Sequence, residues 1–533
     1  MTSAHRLAVL ACATLVATTA AGCASAKKAV TGSDDKGAIT MGSTSGTTVL
    51  DPAGAYDAGS WLILNNTFQS LLKFPAGATS PMPDAAESCA FTGADALVYK
   101  CELRSGLKFS NGHPLTAEDV VFSIRRMQKI NDENGPSALL STIKSVEAKG
   151  AAEVTIQLTT PDAVLPAKLA SAAGSIVDHQ VFPADALLAN DKLVGSGPYK
   201  IDSIEANGDA GLRKVALSAN GEYHGDAKLQ NNKFVLRYFD DGAQLKTALE
   251  QGEIDLADNG LDPATAAKLK DDQLAGTGKI KIAEGESAET RFLAFNTKDA
   301  VTGNPAVRQA VAQLVDRKVL ARDVYARTVQ PLYSVVPAGI NGHNTSFFDH
   351  YGEPDVAKAK KLLTAAKVAT PVKLSLTWSR ARAGEAEAKE LKKQLDASGL
   401  FQVTVQQESD WTAYQQGWID GKYQAYVVGW TPDYADADNF VTPLVVEGGA
   451  FHTGWDDPRI SQKLVPESIK QTDRTAGGAY AQMQNLVADA APLVPLFQNK
   501  AFYASGTDIT GVDGTVDTTG VFRFWEIGRA AKK

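Results

Sequence analysis

The chain has 533 residues, with 53 Lys and Arg against 61 Asp and Glu, a formal net charge of -8, and 44% hydrophobic residues. This mildly acidic balance offers no broad cationic footprint for nucleic acid, and the length suffices for several hydrophobic cores. Beyond the first residues, no apolar run is long enough to cross a bilayer as a helix.

In chain order, Leu7 to Ala17 is a nearly unbroken run of Leu, Ala, Val, Cys and Thr behind a short stretch that holds His5 and Arg6. It has the form of a secretory signal and is too short to span a membrane. The run leads to Thr19-Ala20-Ala21-Gly22-Cys23, which resembles a bacterial lipobox, with Ala20 where a lipobox usually carries Leu. Two readings stand: cleavage after Gly22 with lipid on Cys23, or ordinary signal cleavage near Ala24-Ser25-Ala26. Either way the mature chain is expected to work outside the cytoplasm. Under the first reading residues 1–22 are a signal peptide, 23–37 form a lipid-anchored linker of small polar residues, and the lipid is the membrane contact.

From Ala38 onward, short β-like runs alternate with amphipathic helices and no repeat of fixed period, a pattern of α/β domains. Cys89 and Cys101 flank a segment in which Thr92 to Ala96 reads as a turn and Leu97 to Tyr99 as a strand. A hairpin turning at Asp95 sets the two cysteines opposite each other, which in an oxidising compartment favours a disulfide over two buried thiols. Thr116, with Glu118 and Asp119 in the first turn, predicts a helix from Ala117 whose stripe is Val120, Val121, Ile124 and Met127. Asn304 and Pro305 open another, with Val307, Ala310, Val311, Leu314 and Val315 at helical spacing. A third is predicted over about Gly384 to Ser398, with Ala388, Leu391 and Leu395 inward and Gly399 as the stop. Lys373 to Trp378, Val403 to Val405 and Ala425 to Val428 read as strands.

The stretch from Leu103 to Arg125, Leu-Arg-Ser-Gly-Leu-Lys-Phe-Ser-Asn-Gly-His-Pro-Leu-Thr-Ala-Glu-Asp-Val-Val-Phe-Ser-Ile-Arg, resembles the signature of the peptide- and nickel-binding family of extracellular solute-binding proteins (family 5) of ABC transporters. Further landmarks follow in the family's order: Gly195-Ser-Gly-Pro-Tyr199, Asn220-Gly-Glu-Tyr223, Ala248 to Asp255, Leu293 to Thr297, Val307 to Ala310 with Asp316-Arg317, and Gly429-Trp-Thr-Pro-Asp433. The resemblance implies a periplasmic-binding-protein-like type II α/β fold, with two lobes joined by a hinge near Arg291 to Asn296 and Phe497 to Tyr503. It also implies an extra small subdomain in the first lobe. The expected division is lobe I over 38–75, 195–296 and 497–533, the subdomain over 76–194, and lobe II over 297–496.

For a ligand, the resemblance implies short peptides, delivered to the transmembrane subunits of an ABC permease by a receptor expected to be a monomer. Asp433 falls where peptide-binding relatives place the acid that meets the ligand's α-ammonium; the alternative is that Asp433, Asp436 and Asp438 are all turn residues. Trp430 and Tyr434 are candidate walls, Arg380 and Arg382 candidates for the ligand carboxylate, and Tyr56 with Asp57 an early loop that approaches the cleft. Trp411, Tyr414, Trp418 and Tyr423 are read chiefly as core. The three aspartates with Asn439 lack the spacing, Gly and terminal Glu of an EF-hand, and no phosphate loop, nucleophile elbow or metalloprotease motif occurs. The expectation is therefore a binding protein without cofactor or metal, not an enzyme. Alternatives are the same fold around an oligosaccharide, a metal chelate or another small solute, and a surface protein that senses peptides without importing them.

Overall fold

A computed structural model describes residues 37–208, 211–258, 260–379, 384–474 and 477–531. The expected signal, residues 23–36 of the linker with Cys23, and both Arg380 and Arg382 lie outside the described residues.

One mixed sheet runs through both lobes. In the first, Ile39–Ser43 pairs in parallel with Lys233–Tyr238 on one side and Leu256–Ala257 on the other. Leu212–Ala219 and Tyr199–Ala206 extend it in antiparallel fashion. Inward residues of these strands, among them Ile39, Met41, Phe234 and Leu236, form one core with Phe522, Phe524 and Ile527 from the C-terminal segment. In the second lobe, Ala425–Trp430, Val372–Ser379 and Phe401–Glu408 continue the sheet, the last two in parallel. Two long antiparallel strands, Ile280–Phe295 and Leu493–Gly506, belong to both halves.

Where these strands cross, their ladder is broken between Glu286 and Thr290 and again between Arg291 and Phe292. Phe292 to Phe295 are buried and paired with Ala425 to Val428, so they are held within the second lobe. Glu286 is exposed and Glu289 half-buried. The ladder of the two long strands is therefore irregular at Glu286 to Thr290, opposite Gln498 to Lys500, and directly precedes the Arg291 to Asn296 segment expected from sequence.

The small subdomain is a four-stranded antiparallel sheet in the order Ala86–Phe91, Val98–Leu103, Glu153–Leu158, Ile143–Lys149. Cys89 and Cys101 are direct cross-strand partners and form a disulfide. The helix Ala117–Ile130 packs on this sheet through Val120, Ile124 and Met127, and its first turn is fastened by Asp119, whose carboxylate accepts the Thr116 N–H at 2.8 Å. Buried Arg126 on the same helix forms a bidentate pair with Asp51 of the first lobe. Ala163 donates its N–H to the Ile469 carbonyl of the second lobe at 2.7 Å.

In the second lobe, Pro305–Leu314 begins with the Asn304 side chain accepting the Ala306 N–H. Gly384–Ala397 buries Ala388, Leu391 and Leu395 as its spacing predicts. Among the described residues no helix is long and apolar enough to cross a membrane.

Candidate ligand-binding cleft

The first-lobe wall begins where the parallel strands end, at Ser43, Tyr238 and Ala257. The C-terminal edge of parallel strands is where open α/β sheets gather ligands, because the following loops fan out from it. The loop leaving Ser43 reaches Asp57, the N-cap of the helix Ala58–Thr67, whose carboxylate accepts the Ser60 N–H at 2.8 Å. Asp57 is thereby committed to starting a helix. That cap fixes the residue before it, Tyr56, which is 40% exposed and rests against Trp61 with ring centroids 5.6 Å apart. The Trp61 indole N–H in turn holds the Ala55 carbonyl at 2.9 Å.

The opposite wall comes from the turn after Ala425–Trp430. Asn439 accepts the Asp433 N–H at 2.9 Å and donates Nδ2 to Asp433 Oδ2 at 3.1 Å, so backbone and carboxylate are oriented by one amide. The Tyr56 hydroxyl donates to Asp433 Oδ1 at 2.6 Å. Two residues 377 apart in sequence thus meet across the cleft. Burial, reinforced by the Asp433 charge, holds the Tyr56 hydroxyl far above its ordinary pKa, so it stays a donor. A carboxylate offers about four acceptor positions. One protein donor on each oxygen leaves Asp433 able to accept more.

The remaining acids of this turn have other work. Asp436 pairs with Arg474, whose Nε donates to Oδ2 at 2.9 Å while Nη2 bonds Oδ1. Asp438 is buried and accepts hydrogen bonds from Thr442, Tyr434 and Tyr480. Burial first, then the neighbouring Asp436 charge, raises its pKa above the usual carboxylate range. Tyr434 is 6% exposed and lies in the core, its hydroxyl on Asp438 at 3.2 Å, so its ring is packing in this state and not a cleft wall. Trp430 is half-buried and edge-on to Phe451 at 6.1 Å. Its buried indole N–H and the buried Thr290 hydroxyl, which belong to directly opposed residues of the ladder, both lack a hydrogen-bond partner among the described residues.

Of the sequence-predicted site residues, the structure brings Tyr56 and Asp433 together, sets Trp430 at the end of the strand leading to Asp433, and turns Tyr434 inward. Tyr414 and Trp418 are interior, while Trp411 is 55% exposed. Asn439 was missed as a positioning residue. Its position one residue into the helix Asp438–Val445 gives no local signal of a bond back to Asp433.

Residues 80–451 match the family model for bacterial extracellular solute-binding proteins, family 5 Middle. The chain is 26% identical over 484 residues to Heme-binding protein A of Haemophilus influenzae, covering 84% of each chain. It is 25% identical over 517 residues to the Dipeptide-binding protein of Escherichia coli (strain K12), covering 90% of each. Among solved structures, the periplasmic binding protein DppA from Helicobacter pylori, in complex with the peptide STSA, superposes with a TM-score of 0.74 at 24% identity, over 92% of this chain and 98% of that one. That last likeness speaks to the fold. With the model spanning well over half of the chain, this protein belongs to family 5 of the bacterial extracellular solute-binding proteins.

Proposed function

We propose that the chain is the extracytoplasmic receptor of an ABC importer and captures short peptides by closure of its two lobes. The observation that carries this reading is the Tyr56 to Asp433 contact, which sets a carboxylate with spare acceptor capacity at the meeting point of the lobes. A peptide's α-ammonium buried in a closed cleft needs such a partner, since an unpaired charge there would be costly. Ligand that touches both walls favours the closed state by its differential contacts. Trp430 provides an apolar flank, and Arg380 and Arg382, which follow the strand Val372–Ser379, are the proposed partners of the ligand carboxylate. The reading carries with it the lobe limits given above, a lipid anchor on Cys23, a monomeric receptor, and binding without catalysis. An aromatic sugar platform over 411–434 receives less support, because in the interior Trp418 stacks on Tyr426 and meets Tyr414 edge-on.

The test is calorimetric titration of a secreted form that lacks Cys23, residues 24–533, with tri-alanine, for wild type and Asp433→Asn. Losing one partner of a buried charge pair costs about 2–5 kcal/mol, so affinity should fall by roughly 30-fold or more. Unchanged affinity would remove Asp433 from its role. Co-purified heme or glycan, retained in the variant, would replace the peptide reading altogether.

A further inference from the structure

The second-lobe wall holds a guanidinium that the contacts described so far leave unused. Arg291, on the long strand Ile280–Phe295, is the register partner of Gly429, which opens the Gly-Trp-Thr-Pro-Asp segment ending at Asp433. Its Nε donates to buried Glu387 at 3.2 Å, and the Tyr325 hydroxyl donates to the same carboxylate at 2.9 Å. Glu387 lies in the first turn of the helix Gly384–Ala397, which follows the parallel strand Val372–Ser379. The pair therefore sits at the edge of the sheet from which the Asp433 turn also leaves.

Arg126, Arg308 and Arg474 spend both Nη groups on carboxylates or carbonyls of the chain. In Arg291 only Nε is engaged: Nη1 and Nη2 have no hydrogen-bond partner among the described residues, and neither is sealed from solvent as the unpaired Arg317 Nη2 is. The side chain is 17% exposed, so a largely desolvated cation keeps two donors open. Burial pulls its pKa down, but the Glu387 charge, followed by Tyr325 and Tyr414, outweighs this and keeps the group protonated.

Gly429 leaves that edge uncovered. It is exposed, and its backbone lies outside the left-handed region, so its conformation does not require glycine. A Cβ there would stand 3.5 Å from the Thr290 carbonyl oxygen and 3.6 Å from Arg291 Nη1, ordinary contact distances, and anything longer would lie over the guanidinium. A planar guanidinium with neighbouring donors free suits a carboxylate, and such charge-assisted bonds strengthen where water is partly excluded.

We propose that Arg291, oriented by Glu387 and left uncovered by Gly429, is a second carboxylate subsite, so that the receptor prefers peptides carrying an aspartate or glutamate side chain. The inference takes its ligand class from the peptide reading but rests on other residues. With the α-ammonium assigned to Asp433 and the terminal carboxylate to Arg380 and Arg382, a further cation on this wall calls for a further anion.

The experiment is titration of the secreted form with tri-alanine, its three single-glutamate analogues and the matching glutamine analogues, beside thermal melts with and without the dicarboxylate glutarate. Wild type is compared with Arg291→Met/Glu387→Gln, which removes both charges of the pair and keeps an acceptor for Tyr325, and with Gly429→Leu, which covers the guanidinium without changing any charge. Melts without ligand confirm that both variants fold. At least one glutamate analogue should bind about tenfold tighter than its glutamine counterpart, a ratio reduced to about threefold or less in both variants. If tri-alanine binds but glutamate and glutamine analogues bind alike, or the ratio survives in the double variant, the subsite is overturned and the peptide reading stands. If no tripeptide binds, glutarate decides: a stabilisation of wild type that the double variant loses keeps the subsite and removes the peptide reading, and no stabilisation removes both.

Discussion

Replacing Asp51 by Ala should destabilise the protein more than almost any other single truncation, for reasons visible around Arg126. That guanidinium is 2% exposed and Asp51 fully buried. Nη1 and Nη2 donate to the two Asp51 oxygens at 2.8 and 2.7 Å, Nε donates to the Pro183 carbonyl at 2.7 Å, and Nη2 also reaches the Ala186 carbonyl at 2.6 Å. The Asp51 oxygens additionally accept the N–H groups of Ala53 and Leu188 at 2.9 and 2.6 Å. Removing the carboxylate leaves a buried cation facing two lost acceptors. Breaking such a pair costs about 3–5 kcal/mol. With an unfolding entropy near 2 cal/mol/K per residue, about 4 kcal/mol corresponds to a drop on the order of 4 °C if the chain melts as one unit. Differential scanning calorimetry of the secreted form checks this. The double variant Asp51→Ala/Arg126→Met should recover part of the loss, because the stranded charge is gone and an apolar chain fills its place. A loss below about 1 kcal/mol for Asp51→Ala, the value expected of an exposed pair, would refute the argument that burial makes this contact matter.

Reducing the Cys89 to Cys101 disulfide, or replacing both cysteines by Ser, should lower stability by about 3 kcal/mol through the short loop it closes, read as a shift in the urea midpoint with and without reductant. Gly195→Ala should disrupt folding, because a Cβ there would stand 2.0 Å from the Thr67 carbonyl oxygen and backbone cannot yield as a side chain can; a cost of about 3 kcal/mol is expected from such overpacking, measured by the same denaturation. His179 Nδ1 lies 2.7 Å from Asp119 Oδ1, and that bond raises its pKa above the ordinary imidazole range. A raised folded pKa stabilises fully below the unfolded value and is lost as pH climbs through the folded one. The melting advantage of wild type over His179→Gln should therefore be greatest below about pH 6 and shrink toward alkaline pH; an advantage that grows with pH would contradict the assignment.

Much of the architecture was legible because it is written over short spans. The helix at Ala117 begins where Thr116 and Asp119 place it, and the helix at Pro305 where Asn304 caps it. Cys89 and Cys101 face each other because the turn between them sets the strand register. The ordered landmarks from Leu103 to Asp433 led to the family that the match over residues 80–451 then showed. Residues whose role depends on distant partners were a different matter. Glu387 falls inside a correctly predicted helix, yet its complete burial against Arg291 and Tyr325 follows from no helical spacing.

Within a single turn, Asp433, Asp436 and Asp438 are chemically alike. The sequence by itself determined that acids gather there, that the chain is an α/β protein of this family, and where its helices start, since caps and periodicity act over a few residues. The family resemblance singled out Asp433, and only the tertiary structure gave each acid its partner, by bringing Arg474 to Asp436, Tyr480 to Asp438 and Tyr56 to Asp433. It likewise turned Tyr434 inward and set the break in the ladder of the two long strands at Glu286–Thr290. The physical reason is that hydrogen-bond partners and burial are properties of what packs nearby, and here the deciding neighbour of Asp433 lies 377 residues away.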